Sequence, residues 1–384
     1  MELLLNNSKE VFEQLYNYKA NCASYAPGRI NIIGEHTDYN LGLSLPAAIN
    51  RWVVVVGAKR YDHVVRVHSL DFSENYEFNM LKSKLPEKSW QKYVYGAFML
   101  FAETQKDFHG CDIVLTGNIP LGSGVSSSAG LTVALMNFFN GYADTKTDGL
   151  AIIQLAQQVE HQYMGVKCGL LDQFASQFSK AGNVMLLNFS NLQYTYFNAN
   201  FGEYDWVLVD TKVKRELAAS KYSERVQETQ HAFTEIEKKY SDVKHFRDLK
   251  LEHLNAVSSP VEAKRLKHFI TEDARVLRAT QALQDEDLNT LGILLNASHE
   301  SLRDDYEVSC EQLDFLQKLA LEQKGCLGSR MMGGGFGGCT INLVHKEVIK
   351  NFSENLLNSY KEKFNIDAEI HQYTTVGGAG FLEF

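Results

Sequence analysis

Proline is scarce in this chain, at 5 in 384 residues, which excludes a long proline-rich linker between domains. The 6 cysteines (Cys22, Cys111, Cys168, Cys310, Cys326 and Cys339) are scattered, with no CxxC pair. That spacing provides neither a zinc framework nor a disulfide scaffold, and a reducing compartment, the cytoplasm, is expected. Long apolar runs are missing as well. The longest, at 52–58, is far too short to span a bilayer. The opening MELLLNNSKE lacks the basic start and extended apolar core of a secretory signal. There is no surplus of positive charge either. Lys and Arg number 38 against 47 Asp and Glu, a net charge of −9, which argues against nucleic-acid or anionic-membrane partners. Internal repeats and low-complexity tracts are absent.

What is present is a soluble composition, 45% hydrophobic and 22% charged, long enough for two domains with real cores. One stretch stands out, residues 119–131, reading IPLGSGVSSSAGL. Gly122 and Gly124 allow positive φ and close backbone approach. Three hydroxyls, Ser126, Ser127 and Ser128, precede an apolar helical pattern. A helix starting here aims unpaired N–H groups and its positive dipole end at an anion. The stretch reads as a phosphate cradle, although an ordinary serine-capped loop has the same local chemistry.

Along the chain, Ser8 is expected to cap a first helix. Residues 51–60 and 63–69 read as an antiparallel strand pair. Helices are expected at 90–105 and 127–140, and another after Asp148. Strands follow at 184–189, 193–197 and 205–210. From 213 to about 321 the chain is helical and charged. Its tail alternates a strand at 339–344, a helix at 347–364, and strands at 367–373 and 380–384. The shift in character near 190–215 suggests an N-terminal domain over 1–200 and a C-terminal domain over 201–384.

Two common nucleotide motifs can be set aside. The 119–131 stretch has no Lys after its last glycine, as a Walker A loop requires. MMGGGFGGCTINLV, at 331–344, formally contains GxGxxG, but a strand follows where a dinucleotide site needs a helix. No HRD or DFG pattern is present. The glycines at 333–338 read instead as a backbone loop packed against a ligand. Residues 28–40, GRINIIGEHTDYN, crowd Arg29, Glu35, His36 and Asp38 beside glycines. Such a set suits a polyhydroxylated ligand, since each hydroxyl can donate to a carboxylate and accept from a cation or imidazole.

GRINIIGEHTDYN resembles the galactokinase signature. PLGSGVSSSAG resembles the phosphate-loop motif of the wider GHMP kinase superfamily, with Val125 where leucine is usual. MGGGFGG resembles that superfamily's third motif, and SHESLRDDYEVSCEQLD at 298–314 is similar to the galactokinase family in particular. The resemblance implies an α/β (α+β) GHMP kinase fold. Its N-terminal domain would be like ribosomal S5 domain 2 and its C-terminal domain ferredoxin-like, with the active site between them and the final strands returning toward that interface. The implied reaction moves the γ-phosphoryl group of ATP to the C1 hydroxyl of α-D-galactose, giving galactose 1-phosphate and ADP.

By the same resemblance, Asp172 in VEHQYMGVKCGLLDQFAS is the catalytic aspartate, acting either as base or as orienting charge. Arg29 keeps it anionic and offsets charge on the phosphoryl group. Glu35, His36, Thr37, Asp38 and Tyr222 match sugar-binding residues. Ser69, Trp90 and Tyr93 are expected near the nucleotide, and Gly122, Ser123, Gly124, Val125, Ser126, Ser127 and Ser128 around its phosphates. Ser128 and Glu160 match the ligands of Mg²⁺, an ion that keeps few protein oxygens. A monomer is expected. The motifs leave N-acetylgalactosamine open as an alternative acceptor. They speak against a non-catalytic galactose- and ATP-binding regulator, because the serine run and Asp172 are both in place.

Overall fold

The computed structural model describes residues 1–213 and 218–384. A six-stranded sheet forms the N-terminal half, in the order β13-β1-β3-β6-β4-β5. Its strands are β1 (Cys22–Asn31), β3 (Pro46–Lys59), β4 (Val64–Ser69), β5 (Glu74–Asn79), β6 (Cys111–Gly117) and, from the far end of the chain, β13 (Gly380–Glu383). The short β2 (Leu43–Ser44) joins β7 (Asn183–Asn188) and β8 (Gln193–Asn198) in a small three-stranded sheet. Along β3, Val53 and Val55 point into the main core while Val54 and Val56 point to the opposite cluster with Phe12. A strand covered on both faces reads as an unbroken apolar run, which is why residues 52–58 are so hydrophobic.

Helix α1 (Glu2–Tyr16) covers one face. The other carries α2 (Ser89–Glu103), α3 (Ser127–Tyr142), α4 (Gly149–Tyr163) and α5 (Leu171–Phe178). The C-terminal half holds the antiparallel sheet β10-β11-β9-β12, built from β9 (Tyr204–Asp210), β10 (Cys326–Met332), β11 (Cys339–His345) and β12 (Glu369–Gln372). Around it lie α6 (Ala218–Lys239), α7 (Pro260–Gln284), α8 (Leu288–Asp304), α9 (Glu311–Glu322) and α10 (Ile349–Phe364). One apolar cluster runs through both halves. It includes Ile113 and Val133 from the first and Leu208, Leu295 and Ile341 from the second.

Three expectations are corrected. The first helix begins at Glu2, and Ser8 lies buried within it, because Leu4 and Leu5 already pack against the sheet. The strands at 51–60 and 63–69 do not pair with each other. β6 lies between them, antiparallel to β3 and parallel to β4. Tyr61-Asp62 has none of the Gly or Asn chemistry of a tight hairpin, so nothing local forces that pairing. Strands β5 and β10 were not expected, since ENYEFN is polar and CLGSRMM lacks the β-branched residues that mark strands.

Candidate active site

Strand β1 delivers the first functional side chain. Its ladder with β3 skips Gly28, where a Cβ would stand 2.7 Å from the carbonyl oxygen of Val125. Glycine there lets β1 press against the 119–131 loop, and the Arg29 amide donates to that same carbonyl at 3.1 Å. Arg29 is 5% exposed. Its Nε donates to Asp172 Oδ1 at 2.8 Å, its Nη2 lies 2.6 Å from the same oxygen, and its Nη1 donates to the Gly124 carbonyl at 2.6 Å. Ser126 closes the other side, its hydroxyl donating to Asp172 Oδ2. Asp172 sits in the first turn of α5, where the helix dipole favours a carboxylate.

Asp172 and Arg29 form one wall of a cavity of about 150 Å³. Glu35, His36, Asp38 and Tyr222 line it, and Gly333 and Gly334 close it. Glu35 is held from the C-terminal half: the Gly333 amide donates to its Oε1 at 2.9 Å and Arg330 Nη2 approaches at 3.2 Å. Burial pushes the Asp38 carboxyl up to about 7, helped by the charges of Asp172 and Glu35. Burial also pulls His36 down to about 3, so its imidazole is neutral. Thr37 is not among the cavity walls. Its hydroxyl is spent on the Leu43 carbonyl at 2.7 Å, fixing the turn rather than meeting a ligand. Of the segment RELAASKYSERV that carries Tyr222, residues 215–217 lie outside the described residues.

A second cavity of about 540 Å³ lies beyond the serine run, within the usual range for a nucleotide-sized ligand. Ser69, Trp90, Tyr93, Ser127 and Ser128 all line it. Trp90 stacks on Phe72 with centroids 5.9 Å apart, and its indole N–H donates to Glu74 at 3.0 Å. Gly122 and Gly124 take φ of 78° and 81°, and Ser126, which caps α3, also has a left-handed backbone. Ser123 and Val125 turn inward: both are fully buried, and the serine donates to the Pro120 carbonyl at 2.9 Å. The loop thus separates the cavities, with Ser126 facing Asp172 and Ser127 and Ser128 facing the larger space.

Glu160 lies in the last turn of α4, beside this boundary. Tyr93 donates to it at 2.9 Å and the Ser128 hydroxyl also bonds to it. It is 5% exposed, and burial pushes its carboxyl above the usual range, against the pull of those hydrogen bonds. Among the described residues no Lys or Arg forms an ion pair with it. Hard oxygen donors around an unneutralised buried carboxylate fit Mg²⁺. A different group of metal-binding type, Asp210, Glu369 and His371, is already bridged by the Lys212 ammonium, at 3.1 Å from Asp210 and 2.7 Å from Glu369.

Sequence reasoning missed Tyr39, Cys168 and Gly169 in the smaller cavity and Phe72, Asp71 and Leu131 in the larger. The first three lie inside motifs already quoted. Leu131 closes the quoted 119–131 stretch, whereas Asp71 and Phe72 lie in an ordinary turn and carry no local signal.

The galactokinase galactose-binding signature matches residues 10–59, and the N- and C-terminal GHMP kinase domains match 92–180 and 279–362. A galactokinase of Thermotoga maritima is 39% identical over 92% of this chain and 98% of its own length. The chain belongs to the galactokinase family. Another galactokinase, from Clostridium acetobutylicum, is 36% identical over 98% of both chains. The crystal structure of Lactococcus lactis galactokinase complexed with galactose superposes with a TM-score of 0.93, at 32% identity, over 98% of this chain and 99% of that one. A mevalonate kinase of Methanococcus jannaschii, 18% identical with a TM-score of 0.68 over 93% of this chain and 99% of that one, shares the fold. The likeness to galactokinases is therefore closer than that to GHMP kinases with other acceptors.

Proposed function

We propose that this chain transfers the γ-phosphoryl group of ATP to the C1 hydroxyl of α-D-galactose. One observation carries the reading: Arg29 and Asp172, from distant parts of the sequence, meet at 2.6 Å between the phosphate loop and a cavity lined by Glu35, His36 and Asp38. The near-full-length likeness to a galactokinase bound to galactose supports the same acceptor.

Galactose sits in the smaller cavity, its hydroxyls shared among Glu35, His36, Asp38 and Tyr222. The C1 hydroxyl donates to Asp172, whose Oδ2 keeps about one lone pair free after Arg29 and Ser126 are served. As the C1 oxygen bonds to the γ-phosphorus, its proton passes to Asp172 and ADP leaves with the electrons of the broken P–O bond. The Arg29 guanidinium, already at the Gly124 carbonyl, offsets the charge spreading over the transferring group. ATP lies along the larger cavity, with its base near Trp90 and Tyr93, its ribose side near Ser69, and its phosphates over residues 122–128. Ser128 and Glu160 would hold Mg²⁺, which when bound would neutralise phosphate charge. The catalytic set comes from one chain, so a monomer suffices. Among the described residues no helix is long and apolar enough to cross a membrane, and cytoplasmic work, where ATP is supplied, is consistent with the free cysteines.

ADP release measured with galactose, N-acetylgalactosamine and glucose tests the acceptor, with galactose expected to give the highest kcat/KM. Asp172→Asn is expected to lower kcat by about a hundredfold or more while ATP still binds. Near-normal turnover of that variant on galactose would remove Asp172 from the chemistry.

A further inference from the structure

Residues 298–314, the stretch most particular to the family by sequence, line neither cavity. Their contacts run to the elements that do. Ser298 donates to Glu272 Oε1 at 2.7 Å, and the Gly34 amide donates to that same oxygen at 2.9 Å. The Val308 carbonyl accepts from the Phe336 amide at 2.7 Å in the glycine loop. Tyr306, fully buried, reaches furthest. Its hydroxyl is 2.7 Å from that of Tyr39 and 3.0 Å from that of Thr229 on α6, and Tyr39 in turn lies 2.7 Å from His36 Nδ1.

The direction of every bond in this chain follows from one carbonyl. Thr229 Oγ1 lies 2.6 Å from the Arg225 carbonyl oxygen, which can only accept. The single Thr229 proton is spent there, so Tyr306 must donate to Thr229. Tyr306 has then no proton for Tyr39, and Tyr39 must donate to Tyr306. Tyr39 has none left for His36, so His36 Nδ1 must carry a hydrogen and donate. A neutral imidazole with its proton on Nδ1 presents a bare lone pair at Nε2. His36 is 5% exposed and lines the smaller cavity, and its Nε2 has no hydrogen-bond partner in the protein. The Gly334 carbonyl beside the ring is an acceptor that would favour a proton on the nitrogen facing it, so the relay through Tyr306 and Tyr39 is what holds the proton on Nδ1.

We propose that Tyr306 and Thr229 are positioning residues that fix the His36 tautomer, so that Nε2 accepts a hydrogen bond from a sugar hydroxyl. The inference rests on the smaller cavity being the sugar site. It gives the 298–314 segment a purpose: it sets the polarity of one sugar contact from two side chains away. A recognition group that only accepts discriminates against ligands with no hydroxyl to donate there.

The test reads the ring directly. Two-bond ¹H–¹⁵N spectra of the full chain labelled at histidine, with His36 assigned by its loss in His36→Gln, distinguish the two tautomers. The wild type is expected to carry its proton on Nδ1, and Thr229→Ser to keep it there, because serine can make the same bond to the Arg225 carbonyl. Tyr306→Phe and Thr229→Val are both expected to move it to Nε2, since Tyr39 is then free to donate to Nδ1. With that change, the galactose KM of Tyr306→Phe should rise about five- to tenfold, the scale of one lost hydrogen bond, with the ATP KM within about twofold. A wild-type proton on Nε2, or a tautomer indifferent to Tyr306→Phe, overturns the proposal. His36 signals unmoved by saturating galactose would sink the sugar-cavity reading instead, and the tautomer measurement keeps the two failures apart.

Discussion

Asp38 and Glu160 are carboxyls whose burial outweighs the polar groups around them. In the folded chain Asp38 keeps its proton up to about pH 7, whereas an unfolded Asp loses it near pH 4, roughly. Between these limits the native state holds the extra proton, so this group makes stability fall as pH rises through the window and level off above it. Asp38→Asn should remove that slope. Its melting temperature relative to the parent should climb from pH 4 to pH 7 by differential scanning calorimetry, and a constant difference would refute the shift. For Glu160, Gln at this position keeps hydrogen bonds but no charge. The variant should need about tenfold or more Mg²⁺ for half-maximal activity, with the galactose KM little changed. A titration of rate against metal concentration checks this. At this scale the sequence was most legible where motifs are dense: Arg29, Glu35, His36 and Asp38 all reached the cavity. Thr37, from the same motif, did not, because spacing along a loop cannot say which side chains are consumed in holding the turn.

Elements position these groups through backbone contacts that leave little room. At Gly28 a methyl group would meet the Val125 backbone oxygen at 2.7 Å, and a backbone atom on the loop before α3 cannot swing aside as a side chain would. Gly28→Ala should therefore cost about 1–3 kcal/mol of stability and lower kcat more than it raises either KM, since it separates Arg29 from the phosphate loop. Denaturant melts together with steady-state kinetics measure both, and unchanged kcat would show that the loop adapts. Helices with clear periodicity and caps were read well; Asp148 does cap α4, accepting from the Ala151 amide at 2.9 Å. Strand partners were not, because pairing is set by what the rest of the sheet supplies. The Val-rich β3 looks the same from sequence whether β4 or β6 lies beside it.

The two halves behave as one body because charged and apolar contacts cross between them. Arg330 on β10 is fully buried and donates to the Ile32 carbonyl at 2.7 Å, to the Asn31 carbonyl, and to Glu35. Arg330→Met should leave Glu35 buried without its cation and cost about 3 kcal/mol or more. Urea unfolding of the parent should be a single transition, given the core that runs through both halves. Two separate transitions in the parent would contradict that continuity. Contacts of this range have no signature in a linear sequence, which is why a buried arginine in an unremarkable strand went unread.

Strand β13 completes the N-terminal sheet by pairing with β1, Cys22 opposite Glu383. During synthesis the edge of β1 emerges from the ribosome early and must wait, its amides and carbonyls open, for almost the entire remaining chain to follow. A nascent chain stalled after the phosphate loop but before residue 380 would carry that loop on a sheet whose β1 border is still raw, the kind of edge that chaperones and stray strands both seek.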